Sequence, residues 1–97
     1  MTSKQRAYLR GLANKETPIL HVGKGGVIDT VVKQADDALT ARELIKGRTL
    51  ETAPETARET AEALAAAVAA EVVAVTGRNF VLYRRNPENP VITLPRS

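Results

Sequence analysis

Ninety-seven residues, 43% of them hydrophobic and 26% charged, suffice for one domain around one core and are too few for two. This balance excludes a disordered chain and a fibrous repeat, so residues 1–97 read as a single domain. The absence of cysteine excludes a disulfide framework, thiolate metal sites and thiol nucleophiles, and fits a reducing compartment.

The net charge of +3 is unevenly placed. Residues 1–24 carry five basic groups against Glu16, residues 25–50 balance, residues 51–71 set Arg58 against five glutamates, and residues 72–97 set four arginines against Glu88. A fold that joins the two ends therefore carries one basic surface, suited to phosphate backbones, and one acidic surface. No apolar signal segment opens the chain, and the alanine-rich stretch at 63–70 is too short and too mildly apolar to span a bilayer. A soluble cytoplasmic protein with no membrane role is expected.

In chain order, Ser3 is a candidate cap for a helix over about residues 4–13, where Leu9, Leu12 and Ala13 recur at helical spacing and Arg6 and Arg10 share a face. After Pro18, Ile19-Leu20-His21-Val22 reads as a strand ending at Gly23. A second helix is expected to begin at Gly26 and run to Thr40 or Ala41, with Val27, Ile28, Val31, Val32, Ala35 and Leu39 as its apolar stripe. Glu43 to Leu50 reads as a second strand, with Gly47 marking a bulge.

Pro54 then opens a third helix whose buried stripe is Ala57, Ala61, Leu64, Ala65, Val68 and Val72, with Glu55, Glu59 and Glu62 near its positive end. Val72 to Val75 and Phe80 to Tyr83 are strands joined by a turn at Gly77-Arg78-Asn79. Pro87 and Pro90 bracket a loop before the tail Val91 to Leu94. The order α-β-α-β-α-β-β predicts an α/β (α+β) domain, a mixed sheet packed by helices.

A strand that runs through glycines into a helix can hold phosphate, because the backbone is approachable and the first helical N–H groups point outward. Gly23-Lys24-Gly25-Gly26 has this form, with Lys24 at the tip as a point charge. A plain turn needs glycine equally, and Asp29 in the first turn of the helix competes for its positive end, so spacing alone leaves both readings open. Ile28 breaks the dinucleotide fingerprint, and no Lys-Ser or Lys-Thr completes a Walker loop.

The basic company strengthens the loop: Lys4, Arg6, Arg10 and Lys15 precede it, and Arg78, Arg84 and Arg85 lie on or beside the last hairpin. Phe80 and Tyr83, three apart on a strand, face opposite sides of the sheet and so form no base-stacking platform. His21 is the only histidine and has no second ligand at useful spacing, and no nucleophile stands near a base. No enzyme activity, metal or cofactor is expected.

Lys4-Gln5-Arg6 with Leu9-Arg10-Gly11-Leu12-Ala13, Val22-Gly23-Lys24-Gly25-Gly26, Arg42-Glu43-Leu44-Ile45-Lys46, Gly77-Arg78-Asn79-Phe80-Val81-Leu82-Tyr83-Arg84 and Leu94-Pro95-Arg96 together resemble the YhbY family, the bacterial stand-alone form of the CRM domain. The resemblance spans nearly the whole chain. It implies a four-stranded mixed sheet with three helices, similar to the C-terminal domain of the third bacterial initiation factor. It implies RNA binding in association with precursors of the large ribosomal subunit, in support of ribosome assembly.

It further implies that the GxxG loop, here Gly23, Lys24, Gly25 and Gly26, contacts RNA with neighbouring basic residues. Combined with the charge pattern, Lys4, Arg6, Arg10, Arg78 and Arg84 are expected on that surface. The chain is expected to be a monomer. The alternative is a protein-interaction module that docks on ribosomal proteins through the acidic third helix.

Overall fold

The computed structural model describes residues 1–96. Helix α1 (Ser3–Ala13) starts on Thr2, whose hydroxyl accepts from the Gln5 amide at 3.1 Å while the Gln5 side chain accepts from the Thr2 amide. This capping box needs an oxygen three residues before Gln5, which makes Thr2 the cap and Ser3 the first helical residue. Strand β1 (Leu20–Val22) follows, then helix α2 (Asp29–Arg42), which begins three residues later than the sequence pattern implied.

Strand β2 (Leu44–Thr49), helix α3 (Ala57–Val68), and strands β3 (Glu71–Thr76) and β4 (Asn79–Tyr83) complete the order. Thr56 and Glu59 form a second capping box at the start of α3. That helix ends where Ala69 takes a left-handed φ of 57°, so Val72 leaves the helical stripe and reaches the same core from β3. Gly77, at φ 59°, supplies the positive φ that a two-residue hairpin loop needs between β3 and β4.

The sheet order is β1-β2-β4-β3, with β1 parallel to β2 and the other pairs antiparallel. Alternation along the strands divides two cores. Leu20, Val22, Ile45, Phe80 and Leu82 face α2 and α3, whereas Leu44, Val73, Val81 and Tyr83 face Leu9 and Ala13 of α1. Tyr83 is only 6% exposed, and burial raises its phenol above the usual range.

Gly47 keeps regular register opposite Phe80, and the bulge instead lies in β3 between Val72 and Ala74. The glycine is needed for another reason: a Cβ there would stand 2.6 Å from Phe80 Cε2 and nearer still to Cζ. Arg6 reaches from α1 to the bulge, donating from Nη1 to the Val72 and Val73 carbonyls at 2.6 and 2.8 Å. A bulge leaves a residue unpaired in the ladder, and these bonds satisfy its carbonyls.

The segment after β4 is strapped down by Glu43, a fully buried carboxylate at the α2–β2 junction with φ 65°. It accepts from the amides of Asn86 at 2.6 Å and of Val91 and Ile92 at 2.7 Å each. Ile92 and Leu94 then pack on the α1 core, and Gln5 donates to the Pro95 carbonyl. Burial by itself raises the Glu43 carboxyl, but the three amides and the nearby Arg85 outweigh it and hold the group below its usual range.

Among the described residues no helix is long and apolar enough to cross a membrane. Replacing Gly47 by alanine forces the Phe80 ring out of the core, and a loss of about 1–3 kcal/mol is expected as a lower urea midpoint at unchanged slope. Because the folded Glu43 pKa lies below the unfolded value of about 4.3, its stabilisation is complete above that pH and is lost as pH falls through the folded value. Hydrogen exchange at Val91 and Ile92, corrected for intrinsic rate, should therefore accelerate in acid, and Glu43→Ala, which removes the acceptor, should abolish the protection already at neutral pH.

Candidate nucleic-acid interface

Val22 pairs with Thr49, and Asn79 pairs with both Arg48 and Thr76, so the end of β1 and the β3–β4 hairpin share one end of the sheet. The glycine loop stands at this end. Residues 23–26 close a turn in which the Gly26 amide donates to the Gly23 carbonyl at 2.9 Å, leaving Lys24 and Gly25 exposed at the tip. Among the described residues, the Lys24 and Gly25 amides have no intramolecular acceptor. Two free N–H groups beside an ammonium are donors suited to an anion.

The glycines differ in why they are needed. Gly26 has φ 68° and a Cβ there would press within 3.0 Å of Pro54 Cγ, so the fold requires glycine. Gly23 and Gly25 have no such φ, and a Cβ at either would make only ordinary contacts of 3.5 Å or more, with Leu50 or Ile28. Neither packing nor backbone geometry explains them.

Helix α2 does not open at Gly26, because Val27 and Ile28 intervene and Ile28 provides no side-chain cap. Asp29 is the first helical residue and is exposed, as its position in the sequence implied. The helix start adjoins the loop, with one carboxylate beside it.

The expected basic residues divide into three groups. Arg78 joins the loop: its carbonyl accepts from Thr49 N and Oγ1 at 2.8 and 3.1 Å, and its guanidinium meets Glu51 at 3.4 Å. This pair is open to solvent and so contributes little, leaving the guanidinium available. Arg10, exposed near the end of α1, lines a groove between that helix and the sheet. Lys4 is exposed at the opposite end of α1.

Arg6 and Arg84 are occupied inside the protein. Arg6 binds the β3 bulge. Arg84 follows Tyr83, at the end of the sheet away from the loop, and donates to Asp36 Oδ1 at 2.6 Å, the Val68 carbonyl at 2.8 Å, the Asp36 carbonyl at 3.0 Å and Thr40 Oγ1 at 2.8 Å. It ties α2 to the end of α3, and the structure does not bring it to the loop.

Charge counting passed over two basic residues of β2, one of which, Lys46, lines the same groove as Arg10. Lys46 and Arg48 follow Leu44 by alternation and project on the α1 side of the sheet, with His21 and Asn79 as the register neighbours of Arg48. Their block of sequence sums to zero charge, which hid them. Period-two reading of β2 from Leu44 is the signal that finds them. The acidic third helix is less uniform than its composition: Glu59 is engaged in the cap, and Arg58 is exposed beside it.

Among the described residues, no group of three or more His, Cys, Asp and Glu side chains is placed to hold a metal ion. The CRS1 / YhbY (CRM) domain family matches residues 1–84. Over 95 residues the chain is 44% identical to the protein named "Probable RNA-binding protein YqeI" of Bacillus subtilis (strain 168), covering 98% of this chain and 99% of that one. A Haemophilus influenzae protein named "RNA-binding protein" is 32% identical over 96 residues, covering 99% and 96%. The solution structure of a Staphylococcus aureus hypothetical protein proposed to bind RNA matches with a TM-score of 0.81 at 44% identity, covering 98% and 99%.

The differing needs of the glycines are testable by stability alone. Gly26→Ala should destabilise the fold by about 1–2 kcal/mol, whereas Gly25→Ala should be neutral or stabilising by up to about 1 kcal/mol in thermal melts. Arg6→Ala leaves two bulge carbonyls without donors and should cost about 1–3 kcal/mol.

Proposed function

The chain belongs to the CRS1/YhbY (CRM) domain family, and we propose that it is an RNA-binding protein that grips phosphate backbone with Gly23, Lys24, Gly25 and Gly26. The observation that carries this reading is the pair of glycines, Gly23 and Gly25, flanking Lys24 with no structural need to be glycine. Without side chains at these two positions the backbone on either side of Lys24 is open to close approach by a phosphate.

Arg78 adds a cation beside the loop, and Arg10 extends the basic track along α1, with Lys4 at its far end. Arg6 and Arg84 serve the same surface indirectly, by holding α1 and the helix pair in place. The contacts are to backbone, so binding is tolerant of sequence. From the family resemblance, the RNA belongs to precursors of the large ribosomal subunit, bound during assembly; from composition and the lack of a catalytic constellation, we take the protein to be a cytoplasmic monomer that works without cofactor or catalysis.

The alternative, docking on ribosomal proteins through α3, has less to stand on because Glu59 is committed to its cap. Glu55 and Glu62 are its remaining exposed carboxylates at that helix start.

Affinity for structured ribosomal RNA should fall by about 0.7–0.9 log units per tenfold salt for each phosphate neutralised. The double change Lys24→Asp and Gly25→Asp should abolish binding while leaving circular dichroism unaltered, since an aspartate fits both positions. Undiminished affinity in that variant would remove the loop from the interface. Release from ribosomal particles by Glu55→Gln and Glu62→Gln, with no effect of the loop change, would favour the α3 reading.

A further inference from the structure

We propose that the groove between α1 and the sheet receives one unpaired nucleotide of the RNA whose backbone the loop grips, an inference that rests on the RNA-binding reading above. The groove has a volume of about 450 Å³, within the range of small-ligand sites. Its floor includes Lys46, Thr76 and Asn79, and Arg10, Gly11 and Asn14 of α1 form its wall. No carboxylate lines it. It opens beside the hairpin that carries Arg78, so a strand leaving the loop can continue into it.

Two observations point to an occupant. The Asn79 side-chain oxygen is buried and has no hydrogen-bond partner among the described residues. An unpaired buried acceptor costs about 1–3 kcal/mol unless something donates to it, and a base amino or imino group or a ribose hydroxyl is a donor of the right kind.

The second is Gly11. It lies within α1, its φ is not positive, and a Cβ there would meet nothing within 4 Å. Glycine in a helix interior is about 1 kcal/mol less favourable than alanine, and nothing in the fold requires it. It lines the groove together with Lys46 and Arg10, so its missing side chain leaves that part of the wall low beside two cations. A duplex keeps its bases stacked and cannot place one there, whereas a bulged or looped nucleotide is already unstacked.

The test uses two RNA hairpins, identical except for a single bulged nucleotide, and fluorescence anisotropy with the full chain. Wild type should prefer the bulged hairpin by about fivefold or more, the scale of one net hydrogen bond. Gly11→Leu, which adds a bulky side chain to the groove wall, and Asn79→Ala should each bring the two affinities together. Gly11→Ala should raise the melting temperature, as expected of a glycine that the fold does not need.

Equal wild-type affinity for the two hairpins, or an undiminished preference in folded Gly11→Leu, overturns the groove proposal alone, provided that binding still depends on Lys24 and Gly25. Absence of binding to either RNA, or indifference to the loop change, overturns the RNA-binding reading and the groove with it.

Discussion

The tip of the Phe80 ring fills the space over Gly47, and the two-sided character of the sheet depends on this approach. It lets Phe80 pack in the α2–α3 core directly against the β2 backbone at Gly47. The opposite face of the same strands is then left to Leu44, Lys46 and Arg48, so that one strand contributes to both the hydrophobic core and the basic surface. A side chain at Gly47 would push Phe80 outward and disturb the register that aligns Arg48 with Asn79 and His21.

The scaffold that aims the loop is held by polar bonds at its irregular points. The β3 bulge is answered by Arg6, the segment after β4 by Glu43, and Arg84 joins α2 to the end of α3. These charges reach backbone groups that regular secondary structure leaves unpaired at the bulge, at the end of α3 and in the segment after β4. Such groups make strong demands on geometry, because one donor lost leaves a buried partner unsatisfied. This explains why two arginines that belong to the basic ends of the sequence are unavailable as surface charge.

Periodicity made the elements legible: all three helices and four strands lie where the apolar patterns put them, within a few residues. Boundaries shifted where side-chain chemistry decides, as with Thr2 outcompeting Ser3 through its spacing to Gln5, and with Ala69 ending α3 in a left-handed turn. The bulge was misplaced because glycine signals both bulges and close approaches, and only the partner across the strand distinguishes them. Glu43 looked like an ordinary strand residue; its three amide partners come from 43 to 49 positions away, a separation that no local pattern reports. For the candidate interface, the loop was legible from its glycines, but linear charge sums merged Arg6 and Arg84 with it and concealed Lys46 and Arg48.

The acidic groups around the loop bear on how it could hold RNA. Asp29 opens α2 and Glu51 pairs with Arg78, so the loop is not in a uniformly positive field. Exchanging Glu51 for a phosphate costs little, because an exposed pair at 3.4 Å contributes at most about 1 kcal/mol. Asp29 opposes a phosphate seated deep at the helix start but affects one at the Lys24 tip less, since exposed charges are screened over roughly 10 Å. The arrangement therefore favours a backbone resting on the tip amides and passing toward Arg78 and the α1 groove, over one drawn into the α2 N-terminus. On the proposed reading, grip is spread over several weak cationic contacts, and selectivity falls to whatever the groove beyond them admits.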